Sequence, residues 1–271
     1  MNHKRICIAL TALFVLGLTV TVSAQGLYWE STMNGGPISE RHEQMWVVPK
    51  MMKGVTQETG ETFIIRMDKE LFITIDPKEK TYSEITFDDM EKMMKKVNPK
   101  IAEMQKKLAA MPEEQRKMME KMMGGAMSGM GKEAKVDVKG TDESKEISGF
   151  PCTKYVVTQD DKEMMTFWVT KSVSGFESLR KDWEELSKRM MAMNPMGNKG
   201  LGEAFMKIDG FPIQTEMSQG ITNTVTKVEK KTAPAGEFEV PAGYKKVKSK
   251  MMECMDNMDQ KEQKEQKEKK N

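Results

Sequence analysis

Leu71-Phe72-Ile73-Thr74-Ile75-Asp76-Pro77-Lys78-Glu79-Lys80-Thr81-Tyr82-Ser83-Glu84-Ile85 holds two runs of β-branched and aromatic residues around an Asp-Pro-Lys-Glu break. Such side chains suit the pleated, half-buried surface of a strand, and Asp-Pro favours a reversal of the chain. The pattern continues toward the N-terminus. Leu27-Tyr28-Trp29, Glu43 to Val48 and Thr62 to Met67 are further strand-like runs, bounded by Gly, Pro, Asp and Lys. Their connections of about two to six residues suit an antiparallel meander, because parallel neighbours need crossovers of a dozen residues or more.

Beyond Ile85 the apolar period lengthens. Met90, Met94, Val97, Ile101, Met104, Leu108 and Met111 recur at spacings of three and four, one stripe on a helix whose other sides carry Lys and Glu. Asn98-Pro99 should break or kink that helix, and Pro112 can open another through Met123. Gly124-Gly125 to Gly131 then reads as a loop. Strands resume at Lys135 to Lys139, Thr153 to Thr158 and Met164 to Thr170. A second amphipathic helix carries Phe176, Leu179, Trp183, Leu186, Met190 and Met193, with Ser174 as its cap. Ile213 to Met217, Ile221 to Val228 and a short run at Phe238 to Val240 complete the strands, so the class is α+β. Ile147-Ser148-Gly149-Phe150-Pro151 is echoed by Ile208-Asp209-Gly210-Phe211-Pro212, each read as a Gly-Pro turn whose Phe plugs the core.

Residues 1–24 have the make-up of a cleaved export signal: Lys4 and Arg5, an apolar run from Ile8 to Val22, then Val22-Ser23-Ala24. A periplasmic or secreted protein is expected. The run is short for a membrane span and lacks basic stop-transfer residues, so no stable membrane anchor is expected. Residues 25–245 read as a single domain with a Met-rich helical insertion at 88–131. The Lys, Glu and Gln of residues 246–271 read as a disordered tail with too little apolar surface to offset ordering entropy.

Loss of Lys4 and Arg5 with the signal leaves the basic side chains equal in number to the 41 acidic ones. With no net charge and no basic stripe interleaved with aromatics, no nucleic-acid partner is expected. Catalysis has little to stand on. His42 is the one histidine outside the signal, no second His lies at helical spacing from it, and neither a phosphate-cradling loop nor zinc-spaced cysteines occur. No cofactor is implied, and the chain reads as a non-enzyme. Pairing Cys152 with His42 as a nucleophile would need further groups that the sequence does not supply. Cys152 and Cys254 could bridge in an oxidising compartment or stay free.

Methionine supplies 29 of 271 residues. Its flexible thioether makes an apolar surface that re-packs around different shapes, so the stripes have two readings, ordinary core or a wall for an apolar ligand. On the second reading Met90, Met94, Val97, Ile101, Met104, Leu108, Trp183 and Met190 line the site. Met251-Met252-Glu253-Cys254-Met255-Asp256-Asn257-Met258 offers soft sulfur donors, of which Met251, Cys254, Met255 and Met258 suit Cu(I). The same spacing is also one face of a short helix.

Trp46-Val47-Val48-Pro49-Lys50-Met51-Met52, Leu71-Phe72-Ile73-Thr74-Ile75-Asp76-Pro77 with Tyr82, and Phe238-Glu239-Val240-Pro241-Ala242-Gly243-Tyr244 resemble a family of exported bacterial proteins of unknown function. That family is grouped with the periplasmic lipoprotein carrier (LolA-like) superfamily, and the likeness spans roughly residues 27 to 245. It implies an open antiparallel half-barrel whose concave face is covered by helices, enclosing an apolar cavity for acyl chains. Departures are visible: this chain opens with a strand where the carrier has a helix, Val48 stands where the carrier has an arginine before the proline, and the Met90 to Met130 segment is longer. The expected function is that of an exported protein holding a lipid or acyl chain. The alternative is Cu(I) binding or buffering of oxidants by methionine.

Overall fold

The computed structural model describes residues 24–36, 38–115, 118, 135–193, 206–217, 220–253 and 256–257, apart from some side chains within the helices. In chain order the strands are β1 (Gln25–Gly35), β2 (Ile38–Val48), β3 (Met51–Thr56), β4 (Thr62–Arg66), β5 (Leu71–Asp76) and β6 (Thr81–Thr86), followed by helix α1 (Phe87–Ala109). Then come β7 (Val136–Ile147), β8 (Phe150–Gln159), β9 (Lys162–Thr170), helix α2 (Phe176–Met193), β10 (Phe211–Met217), β11 (Thr222–Thr232) and β12 (Lys245–Lys246). All twelve strands join one open sheet in the order β12-β6-β5-β4-β3-β2-β1-β11-β10-β9-β8-β7. Every neighbour is antiparallel except β12, which runs parallel to β6.

Two meanders are joined at one seam, where β1 lies against β11 with Gln25 opposite Thr232. Short turns of Lys50, Glu70 and Lys80, each in the left-handed region, connect the first meander. Side chains on adjacent residues of a strand point to opposite faces. Val47, Met52, Ile65 and Ile85 therefore fall on one face with Leu27, where Phe87 and Met90 of α1 and Leu179 and Leu186 of α2 pack against them. Tyr28, Trp46, Val48, Ile64, Ile73 and Ile75 occupy the other face, and Phe238, Val240 and Tyr244 from the segment after β11 join that cluster.

Several expectations are corrected. Met51 to Thr56, with a glycine and a lysine among its residues, gives a weak strand signal yet forms β3. Gly54 is required there because a Cβ would stand 2.3 Å from the Phe63 ring and 2.7 Å from Met45 Sδ. Phe238 to Val240 is not a strand but part of a series of turns, stabilised by Glu237 N–H donating to Pro234 O and Glu239 N–H donating to Gly236 O. The last strand is instead Lys245–Lys246. Helix α1 runs through Pro99 rather than breaking there. The first residues beyond Tyr244 stay with the sheet: Lys245 and Val247 donate backbone hydrogen bonds to Lys80 and Tyr82, and Met252 packs on the core under the helices, while residues 254–255 and 258–271 lie outside the described residues. The echoed turns behave as read, since Phe150 and Phe211 both pack into that same core.

Candidate functional site

Helix α2 is clamped to the tips of two successive hairpins. The Asp182 carboxylate accepts a 2.8 Å hydrogen bond from Lys50 N–H in the β2–β3 turn. Arg189 reaches Glu70 in the β4–β5 turn at 3.1 Å and lies 5.8 Å from the Phe87 ring at the start of α1. Asp182 and Arg189 are two helical turns apart, so both project along one side of α2. At its N-terminal end Arg180 pairs with Asp209 at 2.8 Å, and Lys171 pairs with the same carboxylate. Hydrogen bonds from Lys171 and Arg180 hold the Asp209 carboxyl below its ordinary range.

Along the same helix Leu179, Trp183 and Leu186 follow at spacings of four and three on the sheet-facing side. Leu179 and Leu186 are buried, whereas Trp183 remains 40% exposed. It stands at a depression lined by Val47, Met52 and Ile65 of the sheet and Met67 of the β4–β5 turn, with Met51, Lys50, Asp182 and Leu186 around it. The depression holds about 10 Å³, room for about one water molecule. Its lining is apolar apart from the Lys50 and Asp182 pair, so it offers shape and desolvation rather than chemistry.

Of the residues singled out in the sequence, Met90 is buried in the core under the helices, and Met94 and Val97 are half-buried on α1. Trp183 lines the depression on α2. Ile101, Met104 and Leu108 lie on α1 and Met190 on α2, but their side chains fall outside the described residues. Sequence reasoning does not single out the wall of Val47, Met52, Ile65 and Met67. Its signal is present in the alternation of β2 and β4, but only the docking of α2 shows which face is used.

Met251 is 45% exposed, while Cys254, Met255 and Met258 lie outside the described residues. Among the described residues no three His, Cys, Asp or Glu side chains are grouped to hold a metal. Cys152 is a buried free thiol whose Sγ lies 3.3 Å from Phe150 O, and burial pushes its pKa up. His42 on β2 sits five strand spacings from Cys152 on β8, so the two form no nucleophile pair. The imidazole instead binds Glu58 at 2.7 Å, pinning β2 to the β3–β4 turn. Among the described residues no helix is long and apolar enough to cross a membrane.

An open α+β sheet with a helix clamped over an apolar seat defines the class of fold. The chain belongs to the family described as Domain of unknown function (DUF4412), whose model matches residues 89–244. Among curated proteins none matches the sequence. Among solved structures, a conserved uncharacterized protein from Thermus thermophilus is similar at 8% identity, with 84% of this chain and 93% of that one covered and a TM-score of 0.42. MucB, in its complex with MucA from Pseudomonas aeruginosa, is similar at 9% identity, with 81% of this chain covered and a TM-score of 0.36. The chain spans 56% of that structure's length. A LolA superfamily protein from Nitrosomonas europaea is similar at 6% identity, covering 80% and 90% of the two chains with a TM-score of 0.27.

Proposed function

We propose that this protein is an exported, non-catalytic binding protein that takes an apolar group between α2 and the sheet. The observation that carries the reading is Trp183, a large aromatic side chain left 40% exposed beside a depression walled by Val47, Met52, Ile65 and Met67. An exposed aromatic at an apolar seat is the usual form of a recognition point. On this reading the face beneath α1 and α2 is the concave inside of a half-barrel. The seat as it stands admits the tip of a chain, so uptake of a whole acyl chain requires α2 to lift from the hairpin tips that Asp182 and Arg189 hold. Each buried CH₂ would then contribute roughly 0.8 kcal/mol. Export rests on the signal-like residues 1–24, and N-terminal sequencing of the exported form should begin at Gln25.

A fluorescent fatty-acid probe tests the site. Trp183→Asp, at a half-exposed position that tolerates a carboxylate structurally, is expected to weaken probe binding at least tenfold while the circular dichroism spectrum is unchanged. Equal affinity in parent and variant, with the fold intact, overturns the assignment.

A further inference from the structure

We propose that the sheet face opposite the helices carries a peptide-binding strip, held shut by the chain's own residues 233–244, and that its ligand is a turn-forming peptide that sets a buried apolar residue between two glutamates. The floor is Tyr28, Trp46, Ile64, Ile73 and Ile75, all buried beneath this segment. Basic groups flank it: Lys53 lies opposite Trp46 and Ile64 in register, and Arg66 lies opposite Met51. Glu237-Phe238-Glu239 meets that surface from a turn, with an acid on either side of the apolar ring. Glu237 pairs with Lys53 at 2.6 Å, Glu239 pairs with Arg66 at 2.6 Å and with Lys69 at 3.7 Å, and Phe238 is buried among the aromatics between them. Arg66 also donates a 3.3 Å hydrogen bond to the Phe238 carbonyl, a main-chain contact that any peptide could supply.

Two features separate this arrangement from a simple cap on the core. One flank holds a nearly buried guanidinium, an expensive choice where aliphatic packing would serve: Asp68 takes two of its nitrogens, and the third is left aimed at Glu239 and the Phe238 carbonyl, as a peptide ligand requires. The segment is also attached to the sheet mainly through side chains. Backbone donors of Glu237 and Glu239 bond within the segment, and the main-chain bonds to the sheet come at its ends, from Ala233 to Ala24 and from Lys245 to Lys80. The stretch between can leave without unzipping a long ladder. Covalent attachment gives it a millimolar-range effective concentration, which excludes a free peptide until the segment is released.

The test uses the full chain carrying Glu237→Lys and Glu239→Lys, with a fluorescein-labelled peptide of residues 233–244. Hydrogen exchange at the amides of positions 237 and 239, whose bonds lie within the segment, is expected to be at least tenfold faster in the variant, with the Lys245 and Trp46 amides unchanged. The variant should then bind the peptide at least tenfold more tightly than the parent by fluorescence anisotropy, and a peptide with both glutamates changed to lysine should bind neither. Unchanged exchange at positions 237 and 239 overturns the ion-pair latch. Release without gain of peptide binding overturns the strip, and binding that survives the charge-reversed peptide overturns the ligand class. Should loss of protection at Trp46 show that the double variant unfolds, Glu237→Gln with Glu239→Gln serves the same comparison at lower perturbation.

Discussion

Gly54 illustrates how one residue sets the geometry of a strand. A methyl group there would meet the Phe63 ring, itself stacked on Phe72 at 6.3 Å, so Gly54→Ala is expected to cost about 1–3 kcal/mol by overpacking, read from urea unfolding. Arg66 acts through charge. Its hydrogen bonds hold the Asp68 carboxyl below the ordinary carboxylate range. Because that folded-state pKa is depressed, the stabilisation is present above the unfolded value, near pH 4, and is lost as pH falls through the folded value. Acid titration of unfolding should therefore show a steeper loss below about pH 4 in the parent than in Arg66→Met. Burial and Glu30 likewise raise the Tyr28 phenol far above its usual range, which keeps it protonated at any physiological pH.

At the level of elements, the C-terminal chain passes over one face of the sheet, pairs with β6 at its edge, and returns Met252 to the core under the helices. Truncation after Lys250 removes that contact, and a half-buried methionine predicts a loss of about 1 kcal/mol, visible as a lowered Tm. Strands β4, β5 and β6 were legible in the sequence because β-branched and aromatic residues dominate them and turn residues bound them. β3 was not, because its glycine serves a cross-strand contact that no local pattern reveals. Phe238 to Val240 misleads for a different reason: its residues suit a strand, but turns closed by Glu237 and Glu239 amides and ion pairs to Lys53 and Arg66 fix its conformation, with no ladder of its own. The Met90 and Trp183 stripes were readable as helix faces, but the part of the sheet opposite Trp183 depends on the hairpin contacts of Lys50 and Glu70, which are long-range.

For the whole molecule, an open sheet of twelve strands must manage two borders. One is closed off by the short β12, and the other is β7, which carries Asp137, Lys139, Asp142, Glu143, Lys145 and Glu146. Charges on an edge strand discourage pairing with another chain. Replacing Lys139, Asp142 and Glu146 by threonine is expected to promote association, measured by light scattering against concentration, with little change in monomer stability. The β1–β11 seam has a consequence for the order in which the molecule is made. Each meander can form as its own stretch of chain emerges, but β1 has only β2 beside it until residues 222–232 arrive. Until then two half-sheets coexist, each with a raw border of unpaired amides where the seam will be. The interval between the appearance of β10 and the capture of β1 by β11 is when a newly made chain is most open to pairing with its neighbours, and a pause in synthesis or translocation at that point would prolong it.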